Sequence, residues 1–234
     1  MALVFTADQD QFRDSIRRFL SDQMPTTRVR QLMQTDHALD EQHWQQASAQ
    51  LALTGIHLPE HLGGAVFGPV ELGIALEEMG RSLFCGPYLS SAVLSAYGLL
   101  ICADGDQQER WLSDLASGAR RCSLAVTESA GLWQDDDIHT TATTDDAGGS
   151  LLNGQKRFAI DANNADLIVV AARASDGIAL YMIDGDAKGL TVTALDTMDP
   201  TRKMADIELK NVVATRLTHA PDHLLDTLLN VACI

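Results

Sequence analysis

The chain has 234 residues, of which 46% are hydrophobic, enough for one large or two modest domains with a buried core. Its 17 Lys and Arg residues against 32 Asp and Glu residues give a formal charge of −15, which repels phosphate backbones and anionic lipid surfaces. We therefore exclude nucleic acids and membrane surfaces as partners.

Targeting signals and metal motifs are absent from the sequence pattern. The first residues, MALVFTADQDQF, lack the basic start and the long apolar stretch of a signal peptide, and no window reaches the ~20 apolar residues of a membrane span. The seven histidines show no paired spacing with a carboxylate. The four cysteines are scattered and form no C-x-x-C pair: Cys85, Cys102, Cys122 and Cys233. We expect a cytoplasmic protein with reduced thiols and no metal site.

Helical periodicity predicts five helices in the first 118 residues. The first starts at a capping box formed by Thr6 and Gln9, and the third has a proline that suits a first helical turn. The residues that begin or immediately precede the five helices are Thr6, Asp40, Pro69, Pro87 and Asp106.

The spacing of apolar residues changes after residue 120. Threonine rises from five in residues 1–120 to eleven in residues 121–220, and short apolar runs are separated by Gly, Asp or Pro turns. Asn153-Gly154 predicts a two-residue hairpin turn. Further strands are predicted at residues 121–128, 166–173, 178–183, 190–195 and 204–213. These runs indicate an antiparallel β-barrel or sandwich.

A further helix is predicted from Asp222. Its apolar stripe has no later element in the sequence to cover it and consists of Leu224, Leu225, Leu228, Leu229 and Ala232. The predicted fold class is α+β, with an N-terminal helical bundle, an antiparallel β-barrel or sandwich domain and the start of a further helix. We place these three parts at residues 1–120, 121–220 and 221–234.

Three segments in this order resemble motifs of one enzyme family. They are GIHLPEHLGGAVFGPVELGIALEEMGR (residues 55–81), SLAVTESAG (residues 123–131) and LNGQKRFAIDANNADLIVVAAR (residues 152–173). The family is that of the acyl-CoA dehydrogenases, in which helices precede a β-domain that a further helical domain follows.

The resemblance implies that FAD binds beside the end of the first strand. Thr127 and the backbone around Val126 would face the flavin, with Leu124 on the same strand, and Phe158 and Ile160 would lie near it. Phe158 stands where the family usually has Trp and Ile160 where it has Thr, so one hydroxyl donor is lost. A lost hydrogen bond costs about 0.5–1.5 kcal/mol, and we expect weakened flavin affinity.

The loop after Thr127 departs from the family pattern, because Leu132-Trp133-Gln134 replaces the usual Gly-Ser-Asp. Trp133 has two interpretations. It fills a hydrophobic gap beside the barrel, which we favour, or it lines the acyl or pantetheine channel, which makes it the candidate substrate-binding residue. Glu128 is expected to accept structural hydrogen bonds from turn amides, and residues 135–137 form a solvated acidic turn.

The implied reaction is an FAD-dependent α,β-dehydrogenation of an acyl-CoA thioester to the trans-2-enoyl-CoA. The family's base is a Glu on a C-terminal helical domain that we expect this chain to lack, through truncation or as a naturally shortened subunit. The catalytic residue is therefore unassigned, and Glu60, Glu77 and Glu78 are expected to be solvated. The implied partners are acyl-CoA, an electron-transfer flavoprotein and other acyl-CoA dehydrogenase subunits in a homo- or hetero-oligomer.

Alternative functions stay open at this point. The altered flavin contacts resemble those of heteromeric, steroid-type members, so the substrate class in lipid degradation is fatty acyl or steroid. As an alternative to a dehydrogenase, the chain is a non-catalytic scaffold or a thioester-binding subunit that assembles with a catalytic partner. A third alternative is a relative that uses reduced flavin on a substrate other than a CoA ester.

Overall fold

The computed structural model describes residues 5–144 and 149–233. Helices precede a β-rich region, which confirms the predicted α+β class. Within the described residues, no helix is both long enough and apolar enough to cross a bilayer. The helices are α1 (Ala7–Gln23), α2 (Thr26–Leu32), α3 (Glu41–Leu51), α4 (Pro69–Ser82), α5 (Ala96–Cys102), α6 (Gly105–Ala116) and α7 (Leu224–Ala232). The strands are β1 (Cys122–Ala125), β2 (Thr141–Thr144), β3 (Ser150–Ile160), β4 (Leu167–Ala174), β5 (Gly177–Asp184), β6 (Leu190–Leu195) and β7 (Met204–Arg216).

The helix starts follow the capping signals of the sequence. The Thr6 hydroxyl accepts the backbone N–H of Gln9 at 3.2 Å, and the Gln9 side chain accepts the Thr6 N–H at 3.0 Å. Asp40 accepts the N–H of His43 at the start of α3, and Pro69 is the first residue of α4. These groups satisfy backbone donors that a helix leaves without partners in its first turn.

Two features of the helical part differ from the prediction. Helix α2 was not predicted, because it has seven residues and its cap, Pro25, makes no side-chain hydrogen bond. The segment after Pro87 is π-helical over Tyr88–Ser95 before it continues as α5.

The seven strands form one mixed sheet whose hydrogen bonds close into a barrel. The closed ring runs β4-β2-β3-β7-β5 and returns to β4, while β1 adds to β4 and β6 adds to β7. The predicted barrel is thus present, but its wholly antiparallel pairing is wrong, since β1 and β2 both run parallel to β4. The alternation of side chains along a strand carries no information about the direction of its neighbour.

The predicted hairpin at Asn153-Gly154 is also wrong. Strand β3 continues through both residues, and its register against β7 shifts there, which marks a β-bulge. The Asn153 side chain bonds Asn211 on β7 in both directions, at 3.1 and 2.9 Å. Gly154 has φ of 152°, and a Cβ on it would lie 2.6 Å from the hydroxyl oxygen of Thr140. This glycine therefore allows two backbones to approach closely rather than to turn.

The helical and β regions share one apolar core. Its buried side chains come from both regions and include Leu99, Leu112, Leu124, Val169 and Leu225. Helix α7 belongs to this core, because Leu224, Leu225 and Leu228 are buried while Leu229 is 44% exposed. The prediction that the stripe of α7 lacks a cover is therefore wrong for these three leucines, which this chain itself covers.

Glu78 is buried on α4, contrary to the expected solvated position. It accepts hydrogen bonds from Arg17 at 2.6 Å and from Arg81 at 2.7 Å, and Arg13 lies 3.5 Å away. The Arg17 hydrogen bond is the main reason that the pKa of Glu78 falls to about 2. This ion cluster joins α1 to α4. Glu77 is exposed on the same helix, as expected.

Gly154→Ala tests whether the bulge depends on close backbone approach. We expect the free energy of unfolding to fall by about 1–3 kcal/mol, because the new methyl group overlaps Thr140. Gly177→Ala is the matched control, since Gly177 also has an unusual φ of 126° but has no atom near the Cβ position. Urea unfolding followed by circular dichroism measures both variants. Equal losses would contradict the role of the contact.

Candidate functional site

The end of β1 is fixed by contacts with β3. The side chains of Leu124 and Val126 point into the shared core and are buried. The carbonyl of Val126 accepts a hydrogen bond from Lys156, and the carbonyl of Thr127 accepts the backbone N–H of Arg157 at 2.8 Å. Of the three residues that the sequence assigned to this strand end, only Thr127 has a partly accessible side chain.

A buried ion pair joins this strand end to β3. The Lys156 ammonium has no exposed surface and lies 2.7 Å from a carboxylate oxygen of Glu128, whose residue is 5% exposed. Burial lowers the pKa of Lys156 to about 8, against the opposing effect of Glu128. Burial acts to raise the pKa of Glu128, but hydrogen bonds and the charge of Lys156 hold it below its usual value. The two charges therefore stabilise each other, and burying either one without its partner would lower the stability of the fold.

The carboxylate of Glu128 also closes the loop that follows it. Its two oxygens accept the backbone N–H groups of His139 and Thr140, both at 2.9 Å. These are the structural hydrogen bonds expected from the sequence. The segment from Glu128 to His139 is thus a compact loop whose two ends meet at one carboxylate. The predicted acidic turn is a 3-10 turn in which Asp135 and Asp136 are exposed, as expected, and Asp137 is partly buried.

Trp133 folds back from this loop onto the strand end. Its indole N–H donates to the hydroxyl oxygen of Thr127 at 2.7 Å. The ring is partly buried and packs against the shared core. Packing and a specific polar contact therefore occur together at this side chain.

Phe158 stands out from β3 at a second irregularity. The register of β3 against β7 shifts between Lys156 and Ala159, and Phe158 has φ of 55°, a strained value for an aromatic residue. The residue is 50% exposed. Ile160, two residues on, is half-buried and packs against the shared core.

A cavity of about 410 Å³ lies between the loop and this part of β3, within the range of small-molecule sites. Its lining residues are Glu128, Ser129, His139, Thr140, Gly154, Gln155, Arg157 and Phe158. The sequence assigned six residues to cofactor or substrate. Phe158 is among the residues that line this cavity, and the other five are not. Thr127 and Trp133 are joined to its walls through Arg157 and the loop.

The flavin implied by the sequence resemblance fits part of this arrangement. The Thr127 oxygen accepts from Trp133, and among the described residues no acceptor takes the Thr127 hydroxyl proton. Phe158 is 50% exposed and follows Arg157, whose N–H binds the Thr127 carbonyl and whose guanidinium lies 6.0 Å from the centre of the Phe158 ring. A flat ring with acceptor atoms along its edge matches these two groups. Leu124, Val126 and Ile160 offer no polar side chain.

The sequence reasoning missed the side chain that organises the site. Lys156 lies within the quoted third motif, but a lysine in an alternating strand is ordinarily read as exposed. The sequence held no usable signal for this pair, because Lys156 lies in the middle of β3 and only the fold brings it beside Glu128.

Comparison with known proteins identifies related chains. Residues 6–119 match the family model "Acyl-CoA dehydrogenase, N-terminal domain", and residues 123–212 match "Acyl-CoA dehydrogenase, middle domain". The chain is 27% identical over 172 residues to the acyl-CoA dehydrogenase FadE12 of Mycobacterium tuberculosis strain ATCC 25618 / H37Rv. This match covers 68% of the chain and 42% of FadE12, so the chain spans less than half the length of that relative.

Solved structures of related proteins show the same fold. A variant of the Tcur3481-Tcur3483 steroid ACAD has a TM-score of 0.84 and 26% identity, covering 96% of this chain and 60% of that one. An acyl-CoA dehydrogenase from Bacillus anthracis complexed with FAD has a TM-score of 0.89 and 18% identity, covering 97% of this chain and 40% of that one.

Lys156→Met tests the buried ion pair. We expect the free energy of unfolding to fall by about 3–5 kcal/mol, because Glu128 is left buried without its cation. Adding Glu128→Gln to this variant should recover part of the loss, since the unpaired charge is then removed. Lys210→Met is the control, because Lys210 is 70% exposed in its pair with Glu208 and should change stability by less than about 1 kcal/mol. Chemical denaturation measures all three variants, and similar losses from both lysine substitutions would contradict the assignment.

Proposed function

The chain belongs to the acyl-CoA dehydrogenase family, and we propose on that basis that it supplies part of an FAD site for the α,β-dehydrogenation of an acyl-CoA thioester. The observation that supports this most directly is the Thr127 hydroxyl, which accepts from Trp133 and has no acceptor for its own proton among the described residues. The strand end that carries Thr127 is joined to β3 next to Phe158, because Arg157 donates its N–H to the Thr127 carbonyl.

In the proposed site, this chain binds and orients the flavin ring. Thr127 donates a hydrogen bond from its hydroxyl to an acceptor atom on the edge of the flavin ring. Phe158 covers an apolar part of that ring. Lys156 and Glu128 keep both residues at fixed positions. FAD, when bound, supplies the acceptor for the hydride that leaves the β-carbon of the substrate.

The proton on the α-carbon requires a base that we do not assign to the described residues. Glu128 is committed to Lys156 and two backbone amides, and Glu78 is committed to arginines. An α-proton of a thioester is a weak acid, so the base must act in a desolvated pocket beside the substrate. We propose that another acyl-CoA dehydrogenase polypeptide or segment provides it, in a homo- or hetero-oligomer.

The remaining assignments follow from the same proposal. The substrate is a fatty acyl or steroid CoA ester, and an electron-transfer flavoprotein takes the electrons. Trp133 is the proposed substrate-contacting residue, through the ring faces that its polar contact leaves free. Three cysteines, Cys85, Cys102 and Cys122, are buried free thiols, which is the state expected of a cytoplasmic protein.

A second candidate function is a scaffold or thioester-binding subunit without its own flavin. The absence of a side-chain hydroxyl at Ile160 favours it, because one donor toward the cofactor is missing.

Ligand-dependent thermal stability separates these functions. If the chain holds part of the FAD site, FAD should raise the thermal midpoint, since a ligand at 100 times its Kd adds about 2.7 kcal/mol to folded-state stability. Differential scanning fluorimetry with FAD and with a long-chain CoA thioester measures this. A shift with the thioester alone indicates a thioester-binding subunit, and no shift with either ligand indicates a scaffold.

The division of catalysis between polypeptides is tested by dye reduction. We expect the isolated chain to retain little flavin colour and to show no acyl-CoA-dependent reduction of an electron-accepting dye, because we assign the base to another polypeptide or segment. Addition of a catalytic acyl-CoA dehydrogenase subunit that co-purifies with it should restore both signals. Strong colour and turnover from the isolated chain would contradict the proposal.

A further inference from the structure

We infer that Trp133 is a positioning residue that fixes Thr127 as a hydrogen-bond donor toward the ring of a bound flavin. This inference rests on the proposed function, because it concerns the partner of the Thr127 hydroxyl. The two earlier interpretations of Trp133, packing and contact with a substrate, give its indole N–H no role, whereas this one does.

The direction of the hydrogen bond follows from the chemistry of its two groups. An indole Nε1–H can only donate, whereas a threonine hydroxyl can donate one proton and accept two. At 2.7 Å from Nε1, the Thr127 oxygen is therefore an acceptor. Its own proton must point away from the indole, toward another group.

The loop holds the indole at this position. Both loop ends are bound by Glu128, and the N–H of Gly131 donates to the Glu128 carbonyl at 3.0 Å. Arg173 donates to the carbonyl of Ile138 at 3.1 Å and also to the carbonyl of Asp135. These contacts fix the backbone on both sides of Trp133, so the indole is oriented before any ligand binds.

The consequence concerns the kind of atom that Thr127 can bind. A free threonine hydroxyl rotates and can face either a donor or an acceptor. With Trp133 on one lone pair of the oxygen, the Thr127 proton is held away from the indole, on the side where it suits the acceptor ring nitrogens and carbonyl oxygens of an oxidised flavin. The preset orientation lowers the entropy lost when that hydrogen bond forms.

A double-mutant cycle on FAD binding tests this role in the full chain. Trp133 is replaced by β-benzothienylalanine, which keeps the size of the bicyclic ring and lacks the N–H, and by Phe as a second variant. We expect each to weaken FAD binding by about 3- to 10-fold, the equivalent of one hydrogen bond. In a Thr127→Val background, the same replacements should have no further effect, because the group they act through is gone. Fluorescence titration with FAD measures the Kd values, and Thr127→Ser, which keeps the hydroxyl, is the matched control.

The outcomes are distinguishable. Additive losses, or unchanged binding without the indole N–H, overturn the inference while leaving the FAD site intact. No FAD binding by the unmodified chain, either alone or with a co-purifying acyl-CoA dehydrogenase subunit, overturns the proposed function and the inference with it.

A measurement without flavin checks the contact itself. In the ¹H–¹⁵N spectrum, the Trp133 indole resonance should move in Thr127→Val and stay close to its position in Thr127→Ser. The Trp44 indole, which donates to the Gly118 carbonyl at 3.0 Å, is the internal reference. An unmoved Trp133 resonance in Thr127→Val would overturn the inference.

Discussion

The salt bridge between Lys156 and Glu128 is the interaction that fixes β3, the end of β1 and the loop after β1 relative to one another. It lies where solvent does not reach, so its two charges tolerate burial only while they stay together and keep their hydrogen bonds. Because Lys156 belongs to β3 and Glu128 begins the loop after β1, separating these segments would leave both charges unpaired. The same carboxylate binds the far end of the loop, so one side chain sets three backbone segments relative to one another.

Two irregularities of a single strand shape the candidate site. The bulge at Gly154 lets β3 approach Thr140 closely, and the register shift near Phe158 turns an aromatic ring out of the sheet. A regular strand would alternate its side chains strictly between the two faces, and Phe158 could not leave that alternation. The hydrogen-bonded barrel thus provides rigidity, while the two local irregularities of β3 shape one wall of the cavity and the loop after β1 forms the other.

The sequence predicted those features that short-range chemistry determines. Helix starts at Thr6, Asp40 and Pro69 follow from capping and from the fixed φ of proline, both local effects. Asn153-Gly154 failed as a turn signal because pairing with β2 and β7 on both sides of β3 outweighed the turn preference of two residues.

The predictions for the site were limited in the same way, because they could not include contacts between residues distant in sequence. Leu124 and Val126 were assigned to the cofactor by resemblance, and their side chains lie in the shared core. The contacts of Lys156 with Glu128 and of Trp133 with Thr127 join residues whose proximity only the folded chain establishes.

The apolar core shared by the helical and β regions has a consequence for how such chains diversify. Side chains such as Leu99 of α5, Leu124 of β1 and Leu225 of α7 fill one common volume. A chimera that took its helices from one relative and its barrel from another would bring together surfaces shaped for different neighbours. Exchange of whole modules is therefore disfavoured, and the two regions must change in step, with a larger residue on one side matched by a smaller one across the boundary.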